Sequence, residues 1–349
     1  MVDFSRHFSK ILADCKSKQF PIVNGSVKKK LTLRERIRGT DRRAGLIPSK
    51  GWVGRNYQYF SSSLLPALMR KRERSPFTDS DSDSDFRPLS QGETEIIWIG
   101  HASFLVRTAN FNALIDPVWA NWMGPIKRSR APGIPIEKLP DIDLVMITHA
   151  HFDHLCRKTL KRIANASHNH LQTILVPHGV SSVLKKIPFS EVKEMEDWDE
   201  FEFRGTKITF TPAQHWGARF FHDMHRGFGG YMLETGDHNL FHSGDSAYFD
   251  GFVDIGKRFN IDTAILPIGA YHCPSGREVH MNPEEAVLAF KDLKANRMIP
   301  MHHATFAISI EKMCEPIRRL NAEAELKSIS DQVITPHEGE PIRLNGSED

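Results

Sequence analysis

The chain is 349 residues long, 40% hydrophobic and 26% charged, with a formal net charge of +3. Those figures fit a soluble globular protein of one large or two modest domains. The sequence contains no run of 18 apolar residues, which excludes a transmembrane helix, and residues 1–20 lack the apolar core and cleavage site of a signal peptide. Four widely spaced cysteines, Cys15, Cys156, Cys273 and Cys314, fit reduced thiols in a cytoplasmic compartment better than a disulfide framework.

The small net charge hides an asymmetry. Residues 1–74 carry 18 Lys and Arg against 5 acidic residues, a net of +13, which leaves 28 against 38 for the rest. Phe8, Ile11, Leu12 and Cys15 fall at helical spacing among lysines and arginines. Residues 57–69 again mix aromatic and leucine residues with the basic cluster Arg70-Lys71-Arg72. Apolar residues beside cations suit an arm that rests on an anionic membrane surface. Simple packing of the arm on the body stays open, and nucleic acid is the weaker alternative. Residues 78–85, alternating Asp with Ser and Thr, read as a solvated linker. They lack the Gly and the final Glu of an EF-hand loop. Residues 1–90 are therefore taken as a basic extension with an acidic linker, and 91–349 as the catalytic domain.

From Glu95 strands dominate. The sequence predicts them over 96–99, 104–106, 113–115, 144–147, 173–176, 207–211, 231–235, 240–242, 263–266 and 297–300. A turn at 236–239 makes a hairpin, and Leu160 and Ile163 suit a short helix. The strongest helix signal covers 283–296. Asn282 is a good N-cap, Pro283 occupies the first helical position, and Glu285 closes a capping box.

The chemistry gathers where strands stop. The run Leu144-Val145-Met146-Ile147 ends in Thr148-His149-Ala150-His151-Phe152-Asp153-His154, three imidazoles and a carboxylate in six positions. Neutral imidazole and carboxylate are zinc ligands, and a strand end that presents several of them suits a metal site. His215, Asp245 and His302 each follow another predicted strand. His303 competes with His302; alternation at a strand end points the neighbour the other way. His101 and Asp116 also stand at strand ends. His222, His225, His238 and His272 are left between the cleft and the open surface, and His168, His170 and His178 read as surface or turn residues.

These residues, in this order and spacing, resemble the metallo-β-lactamase superfamily. Within it the chain is most similar to N-acylphosphatidylethanolamine-hydrolysing phospholipase D and its bacterial relatives. The narrower likeness rests on Gly100-His101-Ala102-Ser103-Phe104, Asp116-Pro117-Val118-Trp119, Pro212-Ala213-Gln214-His215-Trp216, Leu266-Pro267-Ile268-Gly269-Ala270-Tyr271, Pro283-Glu284-Glu285-Ala286 and His302-x-x-Thr305-Phe306. The resemblance implies an αββα sandwich of the α/β class with two zinc ions at one edge. By it, His149, His151 and His215 hold one ion, Asp153, His154 and His302 the other, and Asp245 bridges them. It gives Asp153, Asp245 and His280 catalytic duties and Asp116 a supporting one, while His101 reads as a histidine behind the ligands and not as one of them. The expected reaction is phosphodiester hydrolysis of a phospholipid, N-acylphosphatidylethanolamine or a similar amphiphile, by water activated between the metals. A hydrolase of a small substrate such as a phosphorylated lactone is the alternative. A homodimer is the assembly the family implies, and a nucleic-acid substrate is not expected. Where the family often has Gln before the substrate-side histidine, this chain has Val279, which puts headgroup contacts in question.

Overall fold

The structure is a computed structural model that describes residues 52–69, 71–75, 86–166, 172–219, 223, 225–236, 238–273 and 279–345. The chain divides into two units, Met1–Val53 and Gly54–Asp349, and the second holds both large sheets. The expectations for residues 1–20, for the linker at 78–85, and for Cys15, His168, His170 and His222 lie outside the described residues.

Fifteen strands and six α-helices are described. In chain order the first are α1 (Trp52–Tyr59), a π turn (Phe60–Leu64) and α2 (Leu65–Met69), which run on without a break. Next come β1 (Glu93–Gly100), β2 (Ser103–Thr108), β3 (Asn112–Ile115), β4 (Trp122–Met123), β5 (Ile126–Lys127) and β6 (Leu144–Met146). They are followed by α3 (Arg157–Ala166), β7 (Thr173–Pro177), β8 (Glu191–Met195), β9 (Glu200–Phe203) and β10 (Thr206–Thr211). The last group is β11 (Gly230–Glu234), β12 (Asn239–His242), α4 (Gly251–Arg258), β13 (Thr263–Pro267), α5 (Pro283–Leu293), β14 (Arg297–Met301), α6 (Glu315–Leu326) and β15 (Pro341–Asn345).

Two sheets stack. The first has the order β15-β1-β2-β3-β6-β7-β8, the second β14-β13-β12-β11-β10-β9. Side chains alternate across each strand, so successive residues of β1 feed different layers. Ile96 and Trp98 join Phe104, Ile208, Phe210, Tyr231 and Ile265 in the core between the sheets. Ile97 and Ile99 turn outward with Leu114 and Val145 to meet Leu160 and Ile163 of α3. On the far side of the second sheet, Phe241, Ala264 and Met298 pack with Phe252 of α4, Phe290 of α5 and Leu320 of α6. The layers are thus helix, sheet, sheet, helix, as expected.

α5 is built as its sequence says. Asn282 accepts from the Glu285 backbone N–H at 2.8 Å, and the Glu285 carboxylate accepts from the Asn282 N–H at 3.0 Å. It ends at Leu293 rather than Asn296, because Lys294 turns left-handed (φ 55°) and Asn296 N–H already bonds Ile261 O beside β14. Outside the sandwich, α1 and α2 lie against the body. The Tyr59 hydroxyl donates to Ala307 O at 2.9 Å, and Leu64 and Ala67 are buried. Tyr57, Phe60, Leu65 and Met69 are exposed along the same segment.

Pairing directions set up one functional edge. β3 and β6 run parallel, as do β12 with β13 and β13 with β14. β10 and β12 are both antiparallel to β11 and so share a direction. Segments that leave the C-terminal ends of such strands collect at one rim, where sites of α/β folds are found.

Candidate metal centre

Behind the loop that follows β6 stands Asp116, wholly buried just past β3. Its Oδ1 accepts from Thr148 N–H at 2.8 Å and its Oδ2 from the Thr148 hydroxyl at 2.6 Å. With that hydrogen spent, Thr148 Oγ1 can only accept, so His149 Nδ1–H donates to it at 3.0 Å. His154 Nδ1–H donates to Asp116 Oδ2 at 2.7 Å. His215 Nδ1–H donates to the Val279 carbonyl at 2.8 Å. Each bond fixes the tautomer and leaves Nε2 as the inward-facing donor atom, the arrangement that metal-binding histidines use.

Those atoms converge in two adjacent clusters. His149 Nε2 lies 2.9 Å from His151 Nδ1, and His215 Nε2 is 3.3 Å from the same atom. In the second cluster Asp245 Oδ2 lies 2.8 Å from His302 Nε2 and 3.1 Å from His154 Nε2, while Asp153 Oδ2 is 3.6 Å from His302 Nε2. Asp245 also falls within 4.8 Å of donors on both His149 and His154, one from each cluster. The structure therefore brings all seven residues together, with the carboxylate of Asp245 between the two groups.

The electrostatics fit cations. Burial and the neighbouring imidazoles push His149 and His215 well below the ordinary histidine range, and burial takes His151 down to about 4. Neutral imidazole is the metal-binding form. Burial would raise the Asp245 carboxyl, yet the His154 and His302 rings hold it well below the usual carboxylate range. Burial would lower His302, yet Asp245 and Asp153 push it up to about 9. So buried a pair of carboxylates demands positive charge nearby, as protons or as metal. His154 Nε2, His302 Nε2 and Asp245 Oδ1 are buried without a hydrogen bond, as metal-facing donors would be.

Backbone strain surrounds the centre. Four non-glycine residues, His101, Asp116, His302 and Ala304, take left-handed φ values of 58°, 44°, 60° and 59°. Each costs about 1–3 kcal/mol and persists only when neighbours impose it. The imposing contacts are visible: His302 N–H donates to His101 O at 3.0 Å, and His101 N–H to Thr305 Oγ1 at 2.7 Å. Gly100 (φ 123°) precedes them, and a Cβ there would meet the Arg128 guanidinium at 2.6 Å.

The remaining candidates separate cleanly. His101 Nε2 lies 3.0 Å from Asp153 Oδ2 and orients that carboxylate. His280 is buried beside the second cluster, with Nδ1 4.0 Å from Asp245 Oδ2 and its ring stacked on His302 at 5.4 Å. His303 points away and stacks on Trp98 at 4.9 Å. His238 neither lines the cleft nor lies exposed: it is buried at the opposite end of β12, 3.0 Å from Thr263 Oγ1. His272 turns toward Glu311, His178 lies near Glu194 and Glu196, and His225 is exposed. Sequence reasoning missed the supporting roles of the Thr148 hydroxyl and the Val279 carbonyl. It also missed Arg128, a fully buried guanidinium that donates to Val118 O and Arg130 O, each at 2.8 Å. A backbone acceptor leaves no trace in residue identity, so only the Thr next to the first histidine was open to discovery.

Comparison with known proteins agrees with this geometry. Residues 112–303 match the family described as the beta-lactamase superfamily domain. The chain is 33% identical to N-acyl-phosphatidylethanolamine-hydrolyzing phospholipase D 1 of Caenorhabditis elegans, over 67% of this chain and 71% of that protein. It is 32% identical to a metal-dependent hydrolase of Pyrobaculum aerophilum, over 61% and 86%. Among solved structures, an isothiocyanate hydrolase from Delia radicum gut bacteria shares the fold, with a TM-score of 0.60 at 19% identity, covering 72% of this chain and all (100%) of that one.

Proposed function

The chain belongs to the beta-lactamase superfamily and is a metal-dependent hydrolase, and from that premise we propose that it is a two-zinc phosphodiesterase that cleaves N-acylphosphatidylethanolamine or a closely similar phospholipid. The products would be an N-acylethanolamine and phosphatidic acid. The observation that carries this reading is Asp245, a carboxylate within reach of donors from both histidine clusters. Held there, two zinc ions would supply Lewis acidity and lower the pKa of water toward neutrality. His149, His151 and His215 would take one ion, Asp153, His154 and His302 the other, with Asp245 shared. Asp153, braced by His101, orients the attacking water. His280, buried beside Asp245, offers a hydrogen bond to charge that develops on the phosphoryl group.

The segment of α1, the π turn and α2 supports a lipid substrate. Tyr57, Phe60, Leu65 and Met69 are exposed along it, and exposed Lys71, Arg72 and Arg74 follow. Aromatic and aliphatic side chains beside cations suit the headgroup region of an anionic bilayer. Among the described residues no helix is long and apolar enough to cross a membrane, so contact of this kind is peripheral.

A turnover screen tests the assignment. Zinc-loaded protein is offered N-acylphosphatidylethanolamine, a phosphorylated lactone and a generic phosphodiester, with His151→Ala as the blank. Release of N-acylethanolamine above the blank is expected; turnover of the lactone alone sinks the phospholipase reading. In flotation with anionic liposomes, Tyr57→Ser with Phe60→Ser and Met69→Ser should weaken binding, and unchanged flotation removes the membrane role of this segment.

A further inference from the structure

One cation at the rim of the metal centre takes no part in holding the ions or orienting water. Arg219 follows His215 by four positions, in the segment that β10 feeds into the site. Its guanidinium carbon stands 4.0 Å from the centre of the Phe152 ring. Phe152 lies between the ligands His151 and Asp153, and 45% of it is exposed. One terminal nitrogen of Arg219 donates to the carbonyl of Leu155, the residue after His154, at 3.1 Å. Trp216, from the same segment, packs its ring 4.5 Å from that of His151. Arg219 is therefore held across the gap between the two loops that deliver all of the first cluster.

Two facts make this an unusual place for a guanidinium. Arg219 forms no ion pair among the described residues, although the group is partly buried. The nearby carboxylate of Asp223 is paired with Arg226. Burial lowers Arg219 to about 10, with the charges of Arg226 and Arg157 pushing the same way and those of Cys156 and Asp223 opposing. Among the described residues Arg219 thus carries its charge beside the metal centre and the half-exposed Phe152 ring with no carboxylate of its own. A guanidinium has five N–H donors in a planar fork that matches phosphate oxygens, and here one is spent on a backbone carbonyl.

We infer that Arg219, seated on Phe152, binds the phosphate diester anion of the substrate at the mouth of the metal centre. The inference rests on the phosphodiesterase reading of the centre. It makes Arg219 a binding residue that selects anionic diesters, whereas a clasp would only hold the loops together.

Calorimetry of dibutyl phosphate binding to the zinc-loaded full chain tests it, alongside zinc content. Arg219→Gln should weaken binding roughly 10- to 100-fold, the scale of a charge-assisted hydrogen bond, with zinc content unchanged. Arg219→Lys should fall between, since an ammonium keeps the charge and loses the fork. Binding by Arg219→Gln within twofold of the wild type overturns the inference. So does zinc loss that tracks the weakened binding, which would mark a clasp, and so does a wild type that binds no dibutyl phosphate. Turnover of bis(p-nitrophenyl) phosphate separates the two claims. Turnover with Arg219-independent binding sinks this inference alone. Arg219-dependent binding without turnover of any phosphodiester sinks the phosphodiesterase reading and leaves the anion site standing.

Discussion

The two sheets supply the metal centre in different ways. The first concentrates its share: His149, His151, Asp153 and His154 lie in one loop after β6. The second disperses it, with His215 after β10, Asp245 after β12 and His302 after β14. The concentrated loop draws its support from its own sheet, where Asp116, just past the adjacent β3, holds Thr148 and His154 through bonds of 2.6–2.8 Å. Dispersed ligands depend on strand register, since β12, β13 and β14 must be parallel and aligned for Asp245 and His302 to meet at 2.8 Å. Closeness in sequence therefore gathers one half of the centre, and register across the second sheet gathers the other.

The largest test of that contrast is Asp245→Ala. This one dispersed residue lies within reach of His149, His154, His280 and His302, so its loss strikes both clusters at once. Zinc content should fall below one ion per chain, and turnover should drop by more than the roughly 100-fold that loss of a supporting partner costs. Retention of both ions, measured by metal analysis, would show that the loop with His215 and His302 holds them without the shared carboxylate. A smaller effect is expected of Asp116→Asn, which strikes only the loop. The amide keeps the shape but exchanges an acceptor for a donor, opposite two N–H groups and a hydroxyl. Zinc affinity should weaken by about 10- to 100-fold, and the melting temperature should fall as buried donors lose their acceptor. Because Thr148 orients His149 and Asp116 itself orients His154, both clusters should weaken; unchanged zinc affinity would break the idea that this carboxylate supports the loop.

How much the sequence disclosed divides in the same way. The loop was legible outright, because imidazoles and a carboxylate at a strand end have few other uses. The dispersed ligands were legible only once each was tied to the end of an apolar run, and the carboxylate between the clusters came from resemblance. Most strands with a buried face were found, but Pro341–Asn345, which buries Leu344, was not, nor were Glu191–Met195 and Glu200–Phe203. The last two mix acidic residues with apolar or basic ones on the outer strands of their sheets, where charge guards an edge and blurs the hydrophobic pattern. α6 (EPIRRLNAEAEL) buries only Pro316, Leu320 and Ala324, too thin a stripe to stand out. The left-handed backbones at His101, Asp116 and His302 were invisible, since none is a glycine and the strain is imposed from outside.

Val279 gives the smallest expected effect. Its side chain departs from the residue that the family resemblance leads one to expect, and that departure raised a question about substrate contacts. The structure gives Val279 a different kind of duty: its carbonyl accepts from His215 Nδ1–H at 2.8 Å and so aims Nε2 at the first cluster. A carbonyl is common to every residue, so the duty survives substitution so long as the backbone path is kept. Val279→Gln should leave zinc affinity within about threefold, well short of the 10- to 100-fold cost of losing an orienting partner. Competition with a chromogenic chelator measures it. A tenfold loss would show that the valine side chain sets the backbone path, and that the dispersed half of the centre is tuned by residue identity as closely as the loop.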